Sequence, residues 1–421
     1  MPDAADNDKP QARARALAMG IAAVIVLVLW VATMLKPRGD FSQHWEFGRR
    51  FLAGEFLYAG GLDVPYPPFF AMAYAPLSLL PLRVAKPVLF VFGIGALTAV
   101  MWILNALSNR SLPLPRDRLF WVVAGTLLVA SRFVLRDFAD AGQNLVLLGL
   151  TWCAIYLWSL GRTCLAGASL GLAIALKCTP ALFVLYFAWK RQWKVAGTAL
   201  LFAAAFTLAP ALGQTSYATH MKTWVDTVAQ GVLQPNPSIG VLGPEELQNK
   251  SLRPALARYL THLPPEHPGR FAGAGYVDFL NLPPRVAGIV IKAVMLILLG
   301  AIAWLFRRPL ESRNDPAVVW EFAAVSLLML LYSPITWGQH CVATIPALYL
   351  VIRSIATGHK FSHCLAWTLG LVGFLLLIAN RSILGRDLSL LLESYHFITL
   401  SLMALLIVVV SCRIQFNRVS S

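Results

Sequence analysis

The chain has 421 residues, of which 58% are hydrophobic and only 13% charged, and its formal net charge is +15. With a mean hydropathy of +0.65 it is too apolar for a water-soluble domain of this size. The positive charge lies in short clusters between apolar runs, not in one basic stripe, which excludes a nucleic-acid surface and points to a polytopic membrane protein whose cytoplasmic loops are basic.

Met1 to Ala16 is polar and basic, and the apolar run Leu17 to Leu35 follows without a small-residue cleavage site before Lys36. This reads as a cytoplasmic tail and an uncleaved first span. The stretch from Asp40 to Pro81 comes next and organises the rest. Its 15-residue segment Pro67 to Pro81 is interrupted by Pro76, and a span wants about 20 residues. We therefore expect that segment to dip into the membrane surface without crossing. Further apolar runs occupy 86–107, 119–135, 145–160, 164–177, 179–189, 195–213, 286–306, 317–333, 341–353, 364–380 and 394–412.

Together with the first run they predict about twelve transmembrane helices, with both termini cytoplasmic. The clusters at Arg110 to Arg118, Arg162, Lys190 to Lys194, Arg307 to Arg313, Arg353 to Lys360 and Arg413 to Arg418 then all fall inside. Counting 67–81 as a span would put them outside. The expectation is an all-α membrane domain over 17–412, with tails at 1–16 and 413–421. Its first and fourth extracytoplasmic loops, Lys36 to Ala85 and Gln214 to Arg285, are long, and loops of that length usually carry function. The six cysteines have no metal-ligand spacing, no acidic metal cage is visible, and no cofactor motif or nucleotide-binding glycine loop appears.

The polar residues that stand out lie on the expected outer side. Asp40 begins the first loop, with His44, Glu46 and Asp63 behind it, and Tyr66-Pro67-Pro68 leads to Pro76 to Pro81. Gly142-Gln143-Asn144 sits near Arg132, Arg136, Asp137 and Asp140. Leu176-Lys177 is followed by Thr179-Pro180, Asn249 by Ser251-Leu252, and Ser333-Pro334-Ile335-Thr336-Trp337 by Gln339-His340. Each has a bland reading. Asp40 could pair with Arg38 or Arg49, Lys177 could snorkel to the interface, and the Arg132 to Asp140 cluster could be mutual ion pairs.

Taken in order, these motifs resemble glycosyltransferase family 87. The resemblance implies a GT-C-type bundle and an integral-membrane hexosyltransferase of the plasma (inner) membrane. Such an enzyme moves a sugar, mannose in the best-known members, from a polyprenyl-phosphate donor to a lipid or glycan acceptor on the extracytoplasmic face. It also implies that Asp40 is the general base of an inverting reaction. One carboxylate suffices, because a phosphate leaving group needs little acid help. Lys177 suits the donor phosphate as a point charge, and Tyr66, Gln143, Asn144, Arg136, Asn249, Gln339 and His340 are the further candidates for substrate contact. Relatives commonly carry two adjacent histidines where this chain has Gln339-His340, and Gln339 can hydrogen-bond but cannot carry charge. The rival readings are a transporter or flippase of a lipid-linked sugar, and a non-catalytic assembly subunit.

Overall fold

A computed structural model of the chain describes residues 4–35, 39–59, 65–245, 247–264, 266, 277–310, 312–359, 361–379 and 381–420. Asp63 and Arg38 lie outside the described residues. Among those described there are eighteen α-helices and one two-stranded antiparallel ladder, Ile239–Gly240 against Gly243–Pro244. The N-terminal half contains α1 (Ala4–Leu35), α2 (Asp40–Leu52), α3 (Pro68–Ser78), α4 (Leu82–Ser108), α5 (Arg116–Val129), α6 (Ser131–Phe138), α7 (Gln143–Ser159), α8 (Thr163–Leu176), α9 (Ala181–Trp189) and α10 (Trp193–Leu208). Then come α11 (Tyr217–Leu233), α12 (Leu252–Leu260), α13 (Pro284–Leu305), α14 (Pro316–Tyr332), α15 (Ile345–Ala356), α16 (His363–Ile378), α17 (Arg381–Ser394) and α18 (Phe397–Ser420).

Among the described residues, five helices are long and apolar enough to cross a membrane, or up to eight if each bent pair is one span. The sequence pattern suggests about twelve, and the difference has a physical origin. Hydropathy sums composition but does not register where a helix ends. The 14 residues of α8 rise about 21 Å and the nine of α9 about 14 Å, against a hydrocarbon core of about 30 Å. In the same way α5 and α6, one apolar run in the sequence, meet at an angle of 70°. The 67–81 segment forms α3, 11 residues long, which rises only about 16 Å.

The core is centred on α14, in which every residue from Ala317 to Leu331 is buried. A helix that is apolar all round is stable only when surrounded. Its one acid, Glu321, is buried between Lys190 at 2.7 Å and Arg413 at 2.7 Å, and accepts a hydrogen bond from the Tyr186 hydroxyl at 2.8 Å. A buried carboxylate of this kind is tolerated only because it is paired. On α8, Gly167 and Gly171 lie one turn apart and face α10, where a Cβ on either would overlap Thr198 or the Ala203 amide. Small residues at this spacing let membrane helices approach closely.

The helices α2 and α3 pack on each other and build the platform for the outer loops. α2 is amphipathic, burying Phe41, His44, Phe47 and Gly48. A side chain at Gly48 would overlap Ser78 and the Tyr74 backbone, so glycine sets the distance between the two helices. The other face carries Glu46, Arg49 and Arg50, with Arg49 bonded to Glu46 at 2.8 Å and to Glu55 at 2.9 Å.

Candidate active site

Asp40 is the first residue of α2, and the turn before it is fixed by Ser42, whose hydroxyl donates to the Gly39 carbonyl at 2.7 Å and accepts from the Gly39 amide at 3.2 Å. The pairing of Arg49 with Glu46 and Glu55 removes it as the bland partner of Asp40. The half-buried carboxylate of Asp40 instead accepts a hydrogen bond at 2.9 Å from the Gln339 side-chain amide, which is contributed by a short 3₁₀-helix, Gly338–Thr344, that precedes α15.

The loop leading to that 3₁₀-helix is held from the second long outer loop. Asn249 donates to the Pro334 carbonyl at 2.9 Å and to Glu245 at 3.1 Å, and its Oδ1 accepts from the amides of Thr336 at 2.9 Å and Ser251 at 3.2 Å. The Lys250 amide adds a bond to the Thr336 carbonyl at 2.6 Å. Asn249 therefore positions the 333–340 segment, and is not among the residues lining the cavities described below.

His340 and Lys177 meet directly, with Nε2 and Nζ 3.0 Å apart. With Lys177 as an ammonium, which can only donate, Nε2 offers a lone pair and the ring proton belongs on Nδ1, where the Ile335 carbonyl lies 3.2 Å away. The Trp337 amide, 3.1 Å from the same Nδ1, would favour the opposite tautomer; the lysine contact decides, because it involves the charged group. Lys177 follows α8 in extended conformation, and its Nζ also stands 5.7 Å from the Tyr66 ring centre.

Among the described residues, three cavities that adjoin this cluster stand out. The largest, about 530 Å³, is lined by Asp40, Gln43, His44, Tyr66, Gln339 and His340, together with Trp337, Ile335, Pro65 and three residues of the second long loop, Thr227, Val241 and Leu242. A narrower one of about 160 Å³ runs between α3, α4 and α7 and is walled by Phe70, Leu77, Leu89, Leu147 and Leu176, with Lys177, Tyr66, Gln143 and Asn144 contributing its polar atoms. The third, about 20 Å³, has Lys177, His340 and Asn144 in its wall. Tyr66 is common to the first two, so a polar chamber and an apolar slot share one wall.

Behind the slot, the buried Asp137 accepts from the amides of Asn144 at 3.2 Å and Leu145 at 3.0 Å and from the Asn144 side chain at 2.7 Å. It is thus an N-terminal cap for α7. The turn that brings it there puts Ala141 and Gly142 at φ 69° and 82°, a left-handed pair in which glycine is at ease. Gln143 accepts from the Tyr74 hydroxyl at 2.6 Å. His44 is buried edge-on to Tyr66, Phe70 and Tyr74, with ring centres 5.3, 5.0 and 5.5 Å away. Burial, and then the nearby Lys177, push its pKa from 6.5 down to about 3, so the ring is neutral.

Of the residues singled out in the sequence, Asp40, Tyr66, Gln143, Asn144, Lys177, Gln339 and His340 converge. Arg136 does not: it is exposed on the last turn of α6 and lines none of these cavities. Its neighbour Arg132 donates to the Ala379 carbonyl at 2.8 Å. Gln43, Thr227, Val241 and Leu242 escaped notice, since nothing in a polar or short hydrophobic loop residue marks it in advance as part of a wall.

The pattern of glycosyltransferase family 87 matches residues 65–334, more than half of the chain. The chain belongs to glycosyltransferase family 87. Tyr66, Gln143, Asn144, Lys177 and Asn249 lie within the family match, while Asp40, Gln339 and His340 flank it and are brought to it by the fold. The chain is 30% identical, over 73% of its length, to a polyprenol-phosphate-mannose-dependent alpha-(1-2)-phosphatidylinositol pentamannoside mannosyltransferase of Mycolicibacterium smegmatis. It is 29% identical to polyprenol-phosphate-mannose-dependent alpha-(1-2)-phosphatidylinositol mannoside mannosyltransferases of M. smegmatis and Mycobacterium tuberculosis, over 76% and 75% of its length. The match spans 65% of the first relative's length and 72% and 70% of the other two. No solved structure matches the chain.

Proposed function

We propose that this family 87 protein transfers mannose from a polyprenyl-phosphate donor to a hydroxyl of a lipid or glycan acceptor, at an active site on the extracytoplasmic face of the plasma membrane. The observation that carries the reading is the shared wall between the slot and the chamber, with a lysine at the slot's polar end and a carboxylate in the chamber. An isoprenoid chain suits the slot, its phosphate suits Lys177, and the sugar then projects toward Asp40. α3, too short to span, supplies Phe70, Tyr74 and Leu77 to the slot and would let the tail enter from the lipid.

In the reaction, Asp40 takes the proton of the acceptor hydroxyl as its oxygen bonds to the anomeric carbon, and the bond from that carbon to the phosphate oxygen breaks. The electron pair leaves with the polyprenyl phosphate, whose negative charge the Lys177 ammonium stabilises. Attack from the face opposite the phosphate inverts the anomeric centre. His340, accepting from Lys177, keeps the ammonium aimed.

The test is turnover by purified protein in detergent with labelled polyprenyl-phosphate sugars and an extracted envelope lipid and glycan pool. Transfer from polyprenyl-phosphate mannose to an acceptor is the expected result. Movement of donor across proteoliposomes without any transfer would replace this reading with a flippase.

A further inference from the structure

We infer that Gln339 is a positioning residue of the base: its amide holds one carboxylate oxygen of Asp40 and so helps aim the group at the acceptor hydroxyl. The inference rests on the proposed role of Asp40, but it assigns Gln339 to the base and not to the substrate. An ionised carboxylate can only accept, so the amide nitrogen is the atom that faces it at 2.9 Å. Gln339 is 3% exposed. Its backbone belongs to the 3₁₀-helix whose approach is fixed by Asn249 and Lys250, so the bond joins two anchored elements that are 299 residues apart in sequence.

The same helix explains why neighbouring residues serve different groups. With three residues per turn, successive side chains diverge by about 120°. Gln339 is thereby turned toward Asp40 and His340 toward Lys177. Among the described residues, the charged or titratable groups around Asp40 include His340 across the chamber, Lys177 beyond it, His44 one turn along α2, and Tyr66 and Tyr74 on the surrounding elements. A neutral amide at 339 orients the carboxylate without adding charge to this set.

A hydrogen bond to the charged form favours that form. Its loss raises the pH at which the base becomes protonated, and removes one hold on the orientation of the carboxylate. We expect Gln339→Leu to lower kcat about 10- to 100-fold, the range for a hydrogen bond to a charged group, and to move the acid limb of the kcat/KM profile upward while the KM for donor stays within about twofold. Gln339→Glu, similar in shape, places two carboxylates together, and should move that limb further up because like charges oppose ionisation. Gln339→His, which keeps a donor, should recover most of the Leu loss. Each variant is checked for folding by thermal shift, with Asp40→Asn alongside. If Asp40→Asn retains turnover, the base assignment and this inference fall together. If Asp40→Asn is inactive while folded Gln339→Leu or Gln339→Glu keeps the wild-type acid limb and raises a substrate KM, only the positioning role is overturned.

Discussion

Asp40 and Lys177 present opposite charges to adjoining cavities, and their substitution should fail in different ways. Asp40→Asn keeps shape and hydrogen-bonding capacity but cannot take a proton, and a general base contributes on the order of 100- to 10,000-fold. Turnover should fall by at least that lower factor with donor binding and thermal stability near wild type. Lys177→Ala removes a phosphate charge and no proton acceptor, so the donor KM should rise about tenfold or more. Steady-state transfer at varied donor separates the two, and wild-type turnover by folded Asp40→Asn would sink the base. His44 gives a pH prediction of known sign. Its folded pKa, about 3, lies below the ordinary 6.5, so between those values the unfolded chain binds the extra proton and stability falls as pH falls. Thermal midpoints should drop from pH 7 to pH 4, and His44→Phe should flatten that drop. An unchanged slope would mean that other groups dominate acid sensitivity.

At the scale of elements, the site depends on a loop held by one asparagine. Asn249 serves two carbonyl-type acceptors and two backbone amides, so Asn249→Ala leaves the buried Thr336 amide without that partner. The cost of such a group is about 1–3 kcal/mol. We expect a lower thermal midpoint and a fall in kcat, because the 333–340 segment that carries Gln339 and His340 is loosened. Asn249→Asp keeps the acceptor for both amides but sets a carboxylate against Glu245 and the Pro334 carbonyl, and should also lower the midpoint. Equal midpoints for wild type and Asn249→Ala would show that the loop is held elsewhere. This division of labour was only half legible in the sequence. Asn249, Gln339 and His340 stood out as polar residues among apolar runs, but which of them touches substrate and which braces a loop depends on contacts between segments some 90 residues apart. Asp137 likewise drew attention as an acid near Gln143, and its work is to cap α7.

On the scale of the whole molecule, the membrane character and the family were readable because apolar runs and their polar interruptions follow from composition and order alone. The number of spans was not, since runs as short as 164–177 and 179–189 each counted as a span, while α8 and α9 rise only about 21 and 14 Å. Glu321 was invisible inside an apolar run, and Lys190 and Arg413, read only as topogenic charges, turn out to be its buried partners. This pairing bears on orientation. The residues expected inside contact one another: Lys190 donates to the Arg308 carbonyl at 2.8 Å, Arg118 to the Ala356 carbonyl at 3.0 Å, and Arg110 to Asn314. Asp40, Lys177, Gln339 and His340 form the separate cluster of the candidate site. We propose a bilayer orientation with the first set in the cytoplasm and the second outside, where the positive-inside rule leaves few basic residues and makes Lys177 conspicuous. We therefore predict that cysteines introduced at Arg162 and Arg307 are labelled only from the cytoplasmic side and a cysteine at Gln43 only from the other. Cys164, Cys178 and Cys364 are exposed, so the measurement uses a background in which the native cysteines are replaced and transfer activity is retained. Labelling of positions 43 and 307 from the same side would overturn the topology, and with it an extracytoplasmic Asp40.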